Sequence, residues 1–414
     1  MPFRNMPRDG WYRLGLFVLA LLYLVYFGIR WLYLGTMNYI AIDYRANRAS
    51  AEIAVRHGFQ YVYDLEYQTN YQRPLYEAYV RHPSEQVLAT VPMPYLPPFI
   101  LLFLPVLGFD PLGGFAVFTA ASLTVLVLYL ARFWRAMSPS RPMPMLIAMG
   151  LWLSLPSAAN AAFGQVNVWL TVCLGEFIIS RLRGRMLLSG IWLGGLLLKP
   201  QSLTLLVLLV VLAKEWKTIL GFLTSAALVL GSSLALAGTQ GLTRLAWLIS
   251  TYPQNLPTTY PESMMNWRSL GILLESTLAP SPTRVVIVAG MVLTTILTIP
   301  LARSLKRGQP EDVAIATLGA LGGASIIAWH SHIHMALPLI IPLAALCSLG
   351  LVREKVVLLW SLLPGATLAG LGLLFGPGLA HLAAGLMMFA YNFAFVILAL
   401  ALSRRLSAAG RSLA

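Results

Sequence analysis

Long apolar runs, parted by short polar or basic stretches, recur from Leu14 to Leu402. The first covers about Leu14–Leu34, and a polar stretch from about Met37 to Pro94 follows it. Tyr95–Leu130 is apolar again but interrupted by Pro97, Pro98, Pro105 and the Asp110–Pro111 pair. Further runs cover about Met143–Leu155, Val166–Ser180, Leu187–Leu198, Ser202–Leu212 and Thr218–Ala237. A second polar segment, about Gly238–Arg284, is rich in Pro, Tyr and Asn. The last runs are about Val285–Leu301, Val313–Ala328, Met335–Leu351, Val356–Leu374 and Leu379–Leu402. A bilayer crossing takes about 20 apolar residues in a helix, so the pattern predicts an all-α polytopic membrane protein with about 12 transmembrane helices. It reads as one membrane-embedded domain over residues 1–414, with a long exterior loop (37–94) after the first helix and a second exterior segment (238–284). Tyr95–Leu130 is long enough to cross once or twice. The first run is too long for a signal-peptide core and no small-x-small cleavage site follows it, which predicts a retained first helix.

Composition agrees: 58% of residues are hydrophobic, 11% are charged and the mean hydropathy is +0.74. A water-facing domain carries about a quarter charged residues. The net charge of +14 suggests nucleic acid at first sight, but its distribution excludes that reading. The basic residues gather at the ends of apolar runs, as topology signals do, and no basic stretch is interleaved with aromatics. If Tyr95–Leu130 makes one net crossing, seven basic groups share the cytoplasmic face with both termini. They are Arg4/Arg8/Arg13, Arg132/Arg135/Arg141, Arg181/Arg183/Arg185, Lys214/Lys217, Arg303/Lys306/Arg307, Arg353/Lys355 and Arg404/Arg405/Arg411. The same assignment sends the 37–94 loop, the Gly164–Gln165 turn, the 238–284 segment and His330–His334 to the exterior face. Cys173 and Cys347 both lie inside apolar runs and read as packing residues.

The exterior features hold the candidate chemistry. The 37–94 loop contains six of the fifteen acidic residues. Among them, Asp43 follows the first helix beside Tyr44 and Arg45 and suits a general base acting on an alcohol. Burial would raise its pKa and Arg45 would lower it, while a helix cap is the plainer role. Asp64, in Tyr61-Val-Tyr-Asp64, reads as a turn or cap. Gln165 and Asn167 flank a turn between apolar runs, and amides both donate and accept, as sugar hydroxyls require. Lys199, before Pro200, interrupts two apolar runs; such a cation faces a cavity and its counter-ion, for which a lipid phosphate is suitable, or else snorkels. Glu176 sits in an apolar run within reach of the arginines. Arg268 suits a phosphate clamp and Trp267 a sugar-stacking ring, although an interfacial anchor explains both. His330, His332 and His334 stand at a membrane edge. Their i, i+2, i+4 spacing cannot place all three on one helix face, so hydrogen bonding is favoured over metal binding, and no metal is predicted.

Taken in order, these residues resemble glycosyltransferase family 87. The resemblance runs from Asp43 through Tyr63–Asp64, Tyr95-x-Pro-Pro98, Gly164-Gln-x-Asn167, Leu198-Lys-Pro200 and Asn266-x-x-Ser269-x-Gly271 to Trp329-x-x-His332 and Pro338. Members are polyprenyl-phosphate-mannose-dependent α-mannosyltransferases of the GT-C superfamily. The resemblance implies a GT-C-like helical bundle in the cell (inner) membrane, with its active site on the exterior, periplasmic face. It implies Asp43 as catalytic base, His332 as the second His of a Trp-x-His-His pattern, and Lys199 as the Lys of a Lys-Pro motif. Ser331 stands here in place of that pattern's first His. The partners implied are a polyprenyl-phosphate sugar donor, a lipid or glycan acceptor and membrane lipids.

The chemistry of the residues agrees. Phosphate is a good leaving group, so the reaction needs cations on it (Lys199, Arg268, Arg45) and a base on the acceptor hydroxyl (Asp43). One base without a second nucleophile predicts inversion. No Asp-x-Asp motif lies at the exterior face, which fits a lipid-linked donor, and no cofactor is predicted. The competing readings are a lipid or solute transporter or flippase, and a GT-C transferase for another sugar. The absence of a clear internal repeat and the few charges inside the helices count against the transporter.

Overall fold

Apolar sequence in lipid must pair its backbone groups within the segment, which leaves the helix as the local solution. The computed structural model describes residues 8–34, 41–78, 90–255, 264–275 and 280–412, and all regular structure among them is helical. The α-helices are α1 (Arg8–Leu34), α2 (Ile42–Arg56), α3 (Leu65–Glu77), α4 (Pro111–Met137), α5 (Met145–Trp152), α6 (Leu155–Phe163), α7 (Asn167–Leu182), α8 (Met186–Gly194) and α9 (Thr204–Leu212). They continue with α10 (Trp216–Asn255), α11 (Trp267–Glu275), α12 (Pro280–Thr298), α13 (Leu301–Arg307), α14 (Pro310–Ile327), α15 (Ile340–Ser348), α16 (Glu354–Phe375) and α17 (Pro377–Ser412).

Fewer helices than the predicted twelve are long and apolar enough to cross a membrane. Six qualify among the described residues: Gly10–Ile29, Pro111–Met137, Trp216–Thr251, Pro282–Arg307, Glu354–Phe375 and Pro377–Ala408. A seventh arises if α5 and α6, bent by 45° at their junction, count as one broken span. Pro156 in the first turn of α6 accounts for the break. The long helices turn apolar side chains outward, as α10 does with Leu220, Leu223, Leu228, Leu230 and Leu234. Several other apolar runs are enclosed instead. In α14 every residue from Asp312 to Ile326 is buried, and the 187–198, 202–212 and 335–351 runs form short helices and 3-10 turns. Hydropathy registers removal from water and does not separate a lipid-facing helix from one enclosed by protein.

The polar 37–94 segment is not an open loop where it is described. It folds as α2, a 3-10 turn (Phe59–Tyr61) and α3, and ten residues of α2 are buried. Ala and Arg, both good helix formers, make up much of α2. Arg48 fastens α2 to the 3-10 helix Pro97–Gly108 by donating to the carbonyls of Val106 at 2.9 Å and Phe109 at 2.8 Å. Asp64 caps α3, accepting from the Glu66 and Tyr67 amides, and pairs with Arg244 at 3.3 Å. From α3, Gln72 holds residue 91 by two hydrogen bonds. These elements enclose a small second core of Tyr44, Ile53, Val62, Phe99, Phe103 and Leu245, apart from the large core of the bundle. The segment 95–130 thus contains one long span, α4, preceded by a 3-10 helix lying against α2. Gly238, with φ 64°, breaks α10 where the second exterior segment was predicted to begin. Glu85, Arg4 and residues 37–40, 79–89, 256–263 and 276–279 of the predicted exterior segments and basic groups lie outside the described residues.

The bundle has two chemically different ends. α7 starts at Asn167 and reaches Arg181 near its other end, about 20 Å away at 1.5 Å per residue. At that end Arg181 pairs with Glu215 at 3.2 Å, Arg132 with Glu176, and Arg307 with Asp312. The arginines of these pairs belong to basic groups that the sequence places on one face.

Two helices meet at backbone distance. A Cβ on Gly190 would lie 2.0 Å from the Thr218 carbonyl oxygen, and one on Gly221 would lie 2.0 Å from that of Leu187. Small residues allow such an approach between membrane helices. Gly221→Val is expected to force α8 and α10 apart and to cost about 1–3 kcal/mol. A thermal unfolding midpoint in detergent equal to wild type would disprove this.

Candidate active site

The site is assembled where α2, the α6–α7 turn, the break at Lys199 and the 328–334 segment meet. Three backbone features make the meeting possible. Gly164 ends α6 in the left-handed region at φ +69°, and a Cβ there would lie 2.5 Å from Cβ of Tyr44. Ala41, also left-handed at φ 63°, donates its N–H to the Ala162 carbonyl at 2.7 Å. The start of α2 is thereby pinned against the end of α6. Pro200 excludes the helical conformation for Lys199, whose φ of −145° and ψ of 78° interrupt the apolar run.

The resulting contacts form one line. Gln165 Nε2 donates to Asp43 Oδ2 at 2.6 Å, and Lys199 Nζ donates to Gln165 Oε1 at 2.6 Å. Lys199 Nζ also meets Nε2 of His334 at 3.3 Å and lies 5.5 Å from the centre of the Tyr95 ring. The Lys199 side chain is fully buried. Ala41, not Asp43, occupies the cap position of α2, so the carboxylate is free of the capping role. Burial raises the pKa of Asp43, which lies in α2 outside the long apolar helices, while the Gln165 bond, Lys199 and Arg45 oppose that rise.

Arg45, 1% exposed, packs its guanidinium 5.6 Å over the Tyr76 ring. Its Nε and Nη1 meet no hydrogen-bond partner among the described residues. Burial lowers its pKa to about 10, so it stays charged at neutral pH. Arg268 lies 4.8 Å over the Trp329 ring, which is 47% exposed. The three imidazoles follow one another, with ring centres 4.7 Å apart for His330 and His332 and 5.9 Å for His332 and His334. Burial, then the neighbouring cations, lower His330 to about 4. Burial, then His330 and the cations, lower His332 as well. Both imidazoles are therefore neutral at pH 7, each with one donor and one acceptor nitrogen. Among the described residues no group of three or more His, Cys, Asp and Glu is arranged to hold a metal.

The remaining predicted residues have other surroundings. Asn167 is fully buried, takes the Asn160 side chain on its amide and donates to the His334 carbonyl at 3.1 Å. Asn266 donates to the carbonyls of Ala328 and Trp329 and accepts from the Ser269 amide, fixing the turn before the histidines. Trp267 departs furthest from expectation. Its indole packs between Gly290, Phe389 and Phe393 and donates to Thr294 at 2.9 Å, so the ring belongs to the α12–α17 packing. The exposed aromatic ring beside Arg268 is Trp329. His334, rather than His332, makes the direct contact with Lys199. Gly164 and Ala41 also form the site; the glycine that opens the Gly-Gln-x-Asn turn is visible in the sequence, whereas nothing local marks Ala41.

The sequence model of glycosyltransferase family 87 matches residues 94–329, more than half of the chain. The protein belongs to glycosyltransferase family 87. No curated protein and no solved structure matches the chain. Family membership, with the long apolar helices, makes it a membrane glycosyltransferase. The matched stretch contains Gln165, Lys199, Asn266 and Arg268. Asp43, His332 and His334 lie outside it, and Asp43 and His334 join the site of this family 87 enzyme through Gln165 and Lys199.

The glycine turn carries a prediction. Gly164→Ala adds a Cβ into Tyr44 in a conformation alanine resists, so α2 must shift and take Asp43 with it. A displacement of about 1 Å costs about 100-fold in rate. Sugar transfer by a folded Gly164→Ala variant within a few-fold of wild type would disprove the positioning role.

Proposed function

We propose that this glycosyltransferase moves mannose from a polyprenyl-phosphate donor to a hydroxyl of a lipid or glycan acceptor, with inversion, at the exterior face of the cell membrane. The observation that carries the proposal is a carboxylate held as hydrogen-bond acceptor by Gln165 beside the buried cations Lys199 and Arg45.

In this reading Asp43 takes the proton of the acceptor hydroxyl as its oxygen bonds to the anomeric carbon. The bond from that carbon to the phosphate oxygen breaks, and polyprenyl phosphate departs with the electron pair. An ammonium has three N–H donors, and the third of Lys199 is left for the departing phosphate. Arg45 and Arg268 supply further positive charge, in surroundings where charge stabilisation is stronger than in water. The neutral His330 and His332, and His334 behind them, meet sugar hydroxyls. With one base and no enzyme nucleophile, a β-linked donor gives an α-linked product.

The test is transfer by purified protein in nanodiscs, given a panel of radiolabelled polyprenyl-phosphate sugars and a membrane lipid extract, with EDTA present. Mannose transfer by wild type and none by Asp43→Ala is expected. Transfer of a different sugar would replace mannose in the proposal. No transfer from any donor by folded protein would reject the donor class.

A further inference from the structure

We infer that Gln165 is a positioning residue whose side-chain amide, oriented by Lys199, holds Asp43 as a hydrogen-bond acceptor ready to receive a proton. The inference deepens the proposed function and rests on Asp43 being the base. It also reassigns Gln165, which by sequence alone reads as a ligand for sugar hydroxyls.

The argument is one of donors and acceptors. In the ammonium form, which the nearby Asp43 carboxylate favours against burial, Lys199 offers hydrogens and no lone pair. The atom that faces it at 2.6 Å must therefore be the Gln165 carbonyl oxygen. That turns the amide nitrogen to the other side, where it lies 2.6 Å from Asp43 Oδ2. An N–H pointing there needs an oxygen with a free lone pair. Rotating the amide by 180° would set N–H against ammonium and oxygen against carboxylate, two repulsions in place of two bonds. Gln165 is 4% exposed, so bulk water does not compete for either contact. The same ammonium acts on His334. Its approach to Nε2 at 3.3 Å makes that nitrogen the acceptor and assigns the imidazole proton to Nδ1. One lysine thus sets the polarity of both branches of the site.

Size and charge can be separated at position 165. Gln165→Glu keeps the oxygen that Lys199 needs but brings a second carboxylate to Asp43 and removes the N–H. Gln165→Met keeps the length and removes both polar atoms. The charged or titratable groups around this contact are Asp43 and Arg45 on α2, Lys199, and His330, His332 and His334. Losing the N–H removes an influence that lowers the pKa of Asp43. Two adjacent carboxylates hold a shared proton more tightly still.

The experiment is an infrared difference titration of the reconstituted protein, with Asp43→Asn identifying the Asp43 carboxyl band. The protonated band is expected to persist to higher pH by about one unit or more in Gln165→Met, a tenfold change in proton affinity, and further in Gln165→Glu. Unchanged midpoints in both variants, with wild-type melting, would overturn the inference. The two substitutions differ in charge, so one that misfolds leaves the other to decide. The readout is the carboxyl itself, so it separates this inference from the base assignment. Shifted midpoints with an active Asp43→Asn enzyme would keep the Gln165 role and reject the base. An inactive Asp43→Asn enzyme with normal Gln165 variants in both assays would do the reverse.

Discussion

Asp43→Asn is expected to lower the rate of sugar transfer by about 100- to 10,000-fold, the contribution of a positioned general base. The variant keeps the shape of the side chain and an oxygen able to accept from Gln165, so the line to Lys199 can persist. What disappears is the proton acceptor. The loss should fall on kcat, with the donor KM near wild type, because the cations proposed to meet the phosphate are untouched. Stability is expected to move the other way. Burial raises the pKa of Asp43 in the folded protein, so the folded state binds this proton more tightly than the unfolded chain does. Stability from this group is therefore full at low pH and diminishes as pH rises through the unfolded and then the folded pKa. At neutral pH an ionised Asp43 costs stability, and Asp43→Asn removes that cost. A melting midpoint equal to or above wild type, together with lost transfer, is the expected pair of results. For the wild type the same shift means that kcat rises with pH through an apparent pKa above the ordinary carboxylate range. A profile flat down to the ordinary range, or an active Asn variant, would remove Asp43 from the chemistry.

Lys199→Met should reduce kcat by about 100- to 1,000-fold, the cost of removing one preorganised charge-stabilising donor. Methionine matches the length of lysine and suits the apolar run around position 199, so the change is chemical more than steric. It leaves Gln165 Oε1 and His334 Nε2 without their shared donor, and Asp43 without one of the two buried cations that lower its pKa. Gln165 is then free to rotate, and the proton on His334 is no longer assigned. Two functions fail together, so unlike Asp43→Asn this variant should also weaken donor binding and raise the donor KM. Lys199→Arg is not expected to rescue it, because a planar fork cannot meet both acceptors as a point-like ammonium does. Steady-state transfer kinetics with varied donor check both statements. Unchanged kcat and KM in a folded Lys199→Met enzyme would reject Lys199 as a site residue.

Parts of this site were legible before any fold was known. Lys199 stands out because a charge inside an apolar run demands an explanation, and Pro200 marks the break in the helix that lets it turn inward. Asp43, Gln165 and the histidine segment were assigned to one end of the molecule by counting basic groups at helix ends. Trp267 was legible only as a residue type. An indole near an arginine suits both a sugar and a helix interface, and Phe389 and Phe393, more than a hundred residues away in the chain, decide for the interface. In the polar 37–94 segment helix propensity outweighs polarity, and where described it is largely helical. α2 is polar and still buried, since Arg48 donates to the carbonyls of Val106 and Phe109 and Arg45 packs over the Tyr76 ring.

By itself the sequence determined that this chain lives in a membrane, that it is helical, and which polar residues stand out against the apolar background. Those properties follow from composition and from the need to pair backbone groups in lipid, which act locally along the chain. The tertiary structure alone decided which apolar runs face lipid and which are enclosed, and which histidine meets Lys199. It alone joined Asp43 to Lys199 through Gln165. Residues 43, 165, 199 and 334 are far apart in sequence, and nothing local encodes their meeting. It results from the close approach of Tyr44 to Gly164, which has no side chain, from the left-handed Ala41 bonded to Ala162, and from the break that Pro200 makes at Lys199.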